Sequence, residues 1–193
     1  MSAVPQTVLY EEAMDLDFMA EVHAIPGGQQ LKECIQCGTC SGSCPVSWAM
    51  EESPRQIIAM IRAGMRDRVL DSTTIWTCAS CYSCTVRCPQ EIKITDIMYI
   101  LKRMAIRENR RRSKYGQALS RAFVAIVNRL GRNHETALMS RFMLAARPGA
   151  MLSAAPIGFK LWVRGRLPLG GERVRDIENL RKIVAKAQDL GGE

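Results

Sequence analysis

The chain has 193 residues, 27 Lys plus Arg against 19 Asp plus Glu, a formal net charge of +8 and eight cysteines. That length fits one or two small domains, and 47% hydrophobic residues suffice to bury roughly 70% of the surface the unfolded chain exposes, which excludes a disordered chain and a disulfide-dependent miniprotein. Aromatics at only 6%, with 11 Met, 14 Gly and 8 Pro, favour helices over a β-sandwich, so an all-α fold is expected.

In chain order, the stretch from Met1 to Phe18 carries acids where a signal peptide needs a basic start and an apolar run, so a cytoplasmic location is expected. Asp15 to Ala24 reads as a short helix closed by Pro26, Gly27 and Gly28. Ser53-Pro54 is a cap followed by a first-turn proline, and Ile57, Ile61 and Met65 recur on one face of the helix it opens, with Gly64 near its end. Up to Pro54 the chain holds eight acids against Lys32 alone. A helix is expected from Thr95-Asp96, with Ile97, Leu101 and Met104 along its apolar stripe. Another carries Leu119, Phe123, Ile126 and Leu130 and ends at Gly131.

Lys102 to Arg132 contains ten basic residues, among them Arg110, Arg111, Arg112 and Lys114, against Glu108 alone. Such a stripe suits an anionic membrane surface or an acidic protein partner, or is simply a solvated helix face. Nucleic acid is not expected, because only Tyr115 and Phe123 interleave and no recognition motif is present. Phe142 to Val163 is broken by Arg147, Pro148, Gly149, Pro156, Gly158 and Lys160, so no transmembrane segment is expected there. Glu172 to Leu190 reads as a last helix with Val174, Ile177, Leu180, Val184 and Ala187 apolar and a Glu178–Lys182 pair, packed on a partner or on the chain's own body.

One internal repeat uses all eight cysteines: Cys34, Cys37, Cys40, Cys44-Pro45 and Cys78, Cys81, Cys84, Cys88-Pro89 both follow C-x2-C-x2-C-x3-C-P. Three thiolates at intervals of three wrap a loop around one corner of an iron–sulfide cube, and the fourth ligand comes from elsewhere. In the bacterial ferredoxin pattern the cysteine before proline serves the other cluster. The expected sets are therefore Cys34, Cys37, Cys40 and Cys88 for cluster one, and Cys78, Cys81, Cys84 and Cys44 for cluster two. Gly38, Ser41 and Gly42 are expected to let backbone N–H groups approach the sulfurs. Structural zinc fits poorly, since each run supplies four ligands within too tight a span, and a disulfide framework needs an oxidising compartment. His23 and His134 stand alone and are read as surface or core residues. Trp48, Trp76 and Tyr82 lie near the cysteines, where they either shield the clusters or simply pack. No catalytic apparatus accompanies the clusters, so the chain reads as a relay whose reaction is completed by another polypeptide.

Beyond the cysteines, CIQCGTCSGSCPVS, SPRQIIAMIRAG, TIWTCASCYSCTVRCP, EIKITDIMYILKR and GFKLWVRGRLPL resemble the C subunit of heterodisulfide reductase and its bacterial heterodisulfide-reductase-like relatives, over about Asp15 to Leu169. The 33 residues between Cys44 and Cys78 and the opening Trp76-Thr77-Cys78 carry the specificity of the match. The resemblance implies an α-helical ferredoxin with two 4Fe-4S clusters and a helical C-terminal extension. Its expected organisation is an N-terminal segment (1–30), a two-cluster domain (31–108) and a C-terminal region for partner docking (109–193). It also implies heterodisulfide-reductase-like A and B subunits as partners, the first bearing flavin and the second handling disulfides. A lipoate-binding protein is served indirectly in the bacterial version, and the mixed disulfide of coenzymes M and B in methanogens. The alternative is an iron–sulfur subunit docking on a membrane quinone or cytochrome partner through the basic stripe and residues 145–169.

Overall fold

A computed structural model describes residues 14–110, 114–167, 170 and 172–190, which form helices joined by turns with no strand among them. Two units divide the chain, 1–113 and 114–193. In the first, α1 (Phe18–Ala24), α3 (Pro54–Arg62), α4 (Arg66–Asp71), α5 (Thr74–Thr77) and α7 (Ile94–Arg107) enclose one core, while the four-residue helices α2 (Thr39–Gly42) and α6 (Ser83–Val86) lie in the cysteine runs. Phe18, Ile57, Ile61, Leu70, Ile75, Ile97 and Leu101 are fully buried there.

Local chemistry sets the boundaries. Helix α1 starts three residues later than the pattern suggests, because Asp15 is used as a turn: its side chain accepts from Asp17 N–H at 3.1 Å, and its own N–H donates to the Gly64 carbonyl at 2.8 Å. Helix α3 opens on a reciprocal box, with Ser53 N–H donating to Gln56 Oε1 at 2.8 Å. It stops at Arg62, since Gly64 takes φ +73° and a Cβ there would lie 2.6 Å from the Asp15 carbonyl oxygen. Met65, expected on the α3 stripe, therefore lies beyond it and leads into α4.

Charge ties the same elements together. Arg66 donates to Asp15 at 3.1 Å, Glu21 at 2.6 Å and Glu108 at 2.5 Å, and Arg110 pairs with Glu108 at 2.5 Å and Asp67 at 2.7 Å. Burial works against the charge of Arg66, but the hydrogen bonds with Glu21 and Glu108 outweigh it and raise its pKa. Arg110 is thus engaged within its own unit rather than presented as an open basic stripe. Arg111 and Arg112, and the Lys114 side chain, lie outside the described residues.

The second unit comprises α8 (Lys114–Leu130), α9 (Glu135–Ala146), α10 (Pro148–Val163) and α11 (Ile177–Asp189). On α8 the buried residues are Gln117, Ala122 and Ile126, whereas Leu119 and Phe123 are 44% and 45% exposed, so the expected stripe is rotated toward the Ala122 side. Helix α11 begins at Ile177, not near Glu172, because Val174 first crosses Gly131 in a non-helical stretch and donates to the Leu130 carbonyl at 2.9 Å, and Asp176 then accepts from Asn179 N–H at 3.3 Å. Glu178 pairs with Arg181 at 3.1 Å and Arg173 at 3.6 Å in place of the anticipated Lys182. Among the described residues no helix is long and apolar enough to cross a membrane.

Candidate functional site

The two cysteine runs fold alike. Gln36 and Ser80, each just before the second cysteine, take φ +58° and +55°; Gly38 and Tyr82, each just after it, take +82° and +61°. The left-handed residues on either side bend each run tightly around its second cysteine. Each run is then clamped to a long helix. Ser41 Oγ accepts from Arg55 N–H at 3.0 Å at the start of α3, and Thr85 Oγ1 accepts from Thr95 N–H at 3.2 Å at the start of α7. The repeat visible in the cysteines therefore extends to the helix behind each run, and it makes Arg55 and Thr95 equivalent positions.

Two recesses lie against these loops. One is lined by Cys34, Cys37, Cys40 and Cys88, with Gly38, Thr39 and Arg55 on its rim and Ile58 and Ile92 behind. The other is lined by Cys44, Cys78, Cys81 and Cys84, with Tyr82, Thr95, Met50 and Met98. Ile94, buried at the first turn of α7, lines both. Each set thus draws three cysteines from one run and the pre-proline cysteine from the other. Cys37 and Cys81 are exposed, while the other six are half-buried and none is in a disulfide.

Hydrogen bonds reach the thiols at both sites. The side chain and backbone of Thr39 hold the Cys37 thiol below its usual range, and the backbone and side chain of Ser83 do the same for Cys81. Burial pushes Cys40 and Cys44 up, against bonds from Ser41 and Val46 respectively. Gln36 Nε2 lies 3.4 Å from Cys34 Sγ, and the Thr95 hydroxyl 3.6 Å from Cys84 Sγ. Of the three small residues expected to admit donors to the sulfurs, Ser41 does so, Gly38 bends the loop, and Gly42 closes α2 without a contact of its own. The donors at Thr39, Ser83 and Val46 carry no distinctive sequence signal beyond standing one or two residues after a cysteine.

This donor set suits a cluster. Four soft thiols lining one recess, with N–H and O–H donors aimed at the sulfurs, match iron–sulfide chemistry. The other expected residues separate. Trp48 is 85% exposed and lines neither recess, so it shields nothing. Trp76 packs against the core with its Nε1 buried and unpartnered. Tyr82 lines the second recess. His134 caps α9 by accepting from Ala137 N–H at 3.3 Å, and His23 sits in the last turn of α1.

Fold and site together fit an iron–sulfur domain, and residues 30–92 match the family model of the 4Fe-4S dicluster domain. Over the shared stretch the chain is homologous to the C subunits of heterodisulfide reductases. It is 36% identical over 100 residues, 52% of its length and 54% of the relative's, to the C subunit of the H(2):CoB-CoM heterodisulfide,ferredoxin reductase of Methanothermobacter marburgensis. It is 42% identical over 84 residues, 42% of its length and 45% of the relative's, to the C2 subunit of the H(2)/formate:CoB-CoM heterodisulfide,ferredoxin reductase of Methanococcus maripaludis. Against the C subunit of the Ferredoxin:CoB-CoM heterodisulfide reductase of Methanosarcina acetivorans it is 40% identical over 108 residues, 56% of its length and 41% of the relative's. The chain spans about half the length of the curated relatives it matches.

Proposed function

We propose that the chain is the electron-transfer iron–sulfur subunit of a heterodisulfide-reductase-like complex, relaying single electrons between a flavin-bearing partner, the A subunit, and a disulfide-handling one, the B subunit. The observation that carries this reading is the pair of four-cysteine recesses sharing the wall at Ile94. Cys34, Cys37, Cys40 and Cys88 would hold one 4Fe-4S cluster, and Cys78, Cys81, Cys84 and Cys44 the other. Such a cluster takes up and gives back one electron at a time. The chain's own residues hold the thiols in place through the left-handed turns at Gly38 and Tyr82, exclude water on the inner side with Ile58, Ile92, Ile94 and Met98, and leave the Cys37 and Cys81 edges open. An inner wall shared by both sites and an open edge on each suit a relay rather than a substrate pocket.

The second unit supplies the docking surface in this reading. None of the residues of α10 is buried, and Leu152, Ile157, Phe159 and Trp162 are 51–80% exposed. Its sequence has no acid, Lys160 stands in its last turn, and Arg164 and Arg166 follow. An apolar helix with cationic flanks fits an apolar groove with an acidic rim on a partner protein.

The test is anaerobic purification followed by iron, sulfide and electron paramagnetic resonance analysis. About eight irons per chain with matching sulfide are expected, and reduced clusters should reoxidise when the B subunit is added. Stoichiometric zinc without visible absorption would end this reading.

A further inference from the structure

The two recesses are built on one plan but carry different charge. Arg55 reaches over the first: its Cδ lies 3.6 Å and its Nε 3.9 Å from where a Cβ on Gly38 would stand. About two turns further along the same face of α3, Arg62 donates to the Cys34 carbonyl at 2.6 Å. Neither arginine has a carboxylate partner among the described residues. No charged side chain lines the second recess. The position equivalent to Arg55 is Thr95, which is 1% exposed and offers a hydroxyl instead.

A reduced centre carries one more negative charge than an oxidised one, so a fixed cation beside it favours reduction and a carboxylate opposes it. Hydrogen bonds to sulfur act in the cation's direction, but both sites have them, through Gln36 and Thr39 at the first and Ser83 and Thr95 at the second. The arginines are what differ.

We propose that Arg55, supported by Arg62, is the potential-setting residue of this chain: it holds the Cys34/Cys37/Cys40/Cys88 site at a higher reduction potential than the Cys78/Cys81/Cys84/Cys44 site. A single electron shared by the two then rests at the first, and the edge at Cys37 is where it is handed on. This rests on the cluster assignment above and adds a direction to it.

The experiment is a redox titration of the anaerobic holoprotein followed by electron paramagnetic resonance, with Cys37→Ala and Cys81→Ala samples assigning each signal to its site. The first site is expected to titrate higher. Arg55→Gln should cut its reduced-to-oxidised ratio at a fixed poise by about three- to tenfold, tenfold being 59 mV for one electron, without moving the second site. Arg55→Lys, which keeps the charge, should restore most of the gap. Two clusters whose order is reversed, a gap unchanged in Arg55→Gln, or an Arg55→Lys protein that behaves like Arg55→Gln would overturn the inference while leaving the relay intact. A chain that binds no clusters would overturn both.

Discussion

At the scale of single residues, equivalent positions are occupied by unlike side chains. Gly38 and Tyr82 share a left-handed backbone, yet only glycine adopts it without a steric cost of about 1–2 kcal/mol. Tyr82→Gly is therefore expected to leave both clusters in place and stabilise the holoprotein or leave it unchanged. Gly38→Ala, with 3.6 Å of room to Arg55, should destabilise it by about 1 kcal/mol through the backbone alone. Denaturant midpoints of the two variants check this, and equal destabilisation by both would contradict it. Arg66 is a second case, because truncating it leaves Asp15 without its ion pair and takes one of two arginine partners from each of Glu21 and Glu108. With the guanidinium only 21% exposed, Arg66→Ala should cost about 1–3 kcal/mol in the same assay. The cysteine spacing was legible in the sequence because its ligands are local and repeated. Arg55 and Thr95 were not, since their place depends on helices that return to the runs 14 and 11 residues after Ser41 and Cys84.

Among the elements, the apolar periodicities located α3, α7 and α8, but caps and turns decided their ends. Ser53 and Pro54 made the start of α3 readable in advance, whereas Asp15 and Asp176 redirected α1 and α11 by bonding their own neighbours. The weak point is Gly131, which has φ +79° and would place a Cβ 2.8 Å from both Cβ and Cγ2 of Val174. Gly131→Ala is expected to lift the Val174 segment off α8 and expose Ile177. It should appear as faster amide hydrogen exchange in residues 174–180 with exchange in α3 and α7 unaltered. Unchanged protection there would mean that the segment tolerates the methyl group. The four-residue helices α2 and α6 left no periodic signal to read, being shorter than two turns, and only the repeat reveals that they correspond.

For the whole molecule, the proposed assembly rests on α10; of the basic run, Arg110 is engaged by Asp67 and Glu108. Replacing Leu152, Phe159 and Trp162 with Ser should weaken association with the partner subunits at least tenfold and leave the cluster spectra unaltered. Retained assembly would move the docking surface elsewhere. The central claim is narrower and more exposed: each cluster takes three thiolates from one run and the fourth from the other, because the chain has turned away from its own cluster by the time it reaches the pre-proline cysteine. Electron paramagnetic resonance of reduced single-cysteine variants tests it directly. Crossed ligation requires that Cys44→Ala perturb the same signal as Cys81→Ala, and Cys88→Ala the same signal as Cys37→Ala. The opposite pairing, Cys44 with Cys37 and Cys88 with Cys81, would contradict the account.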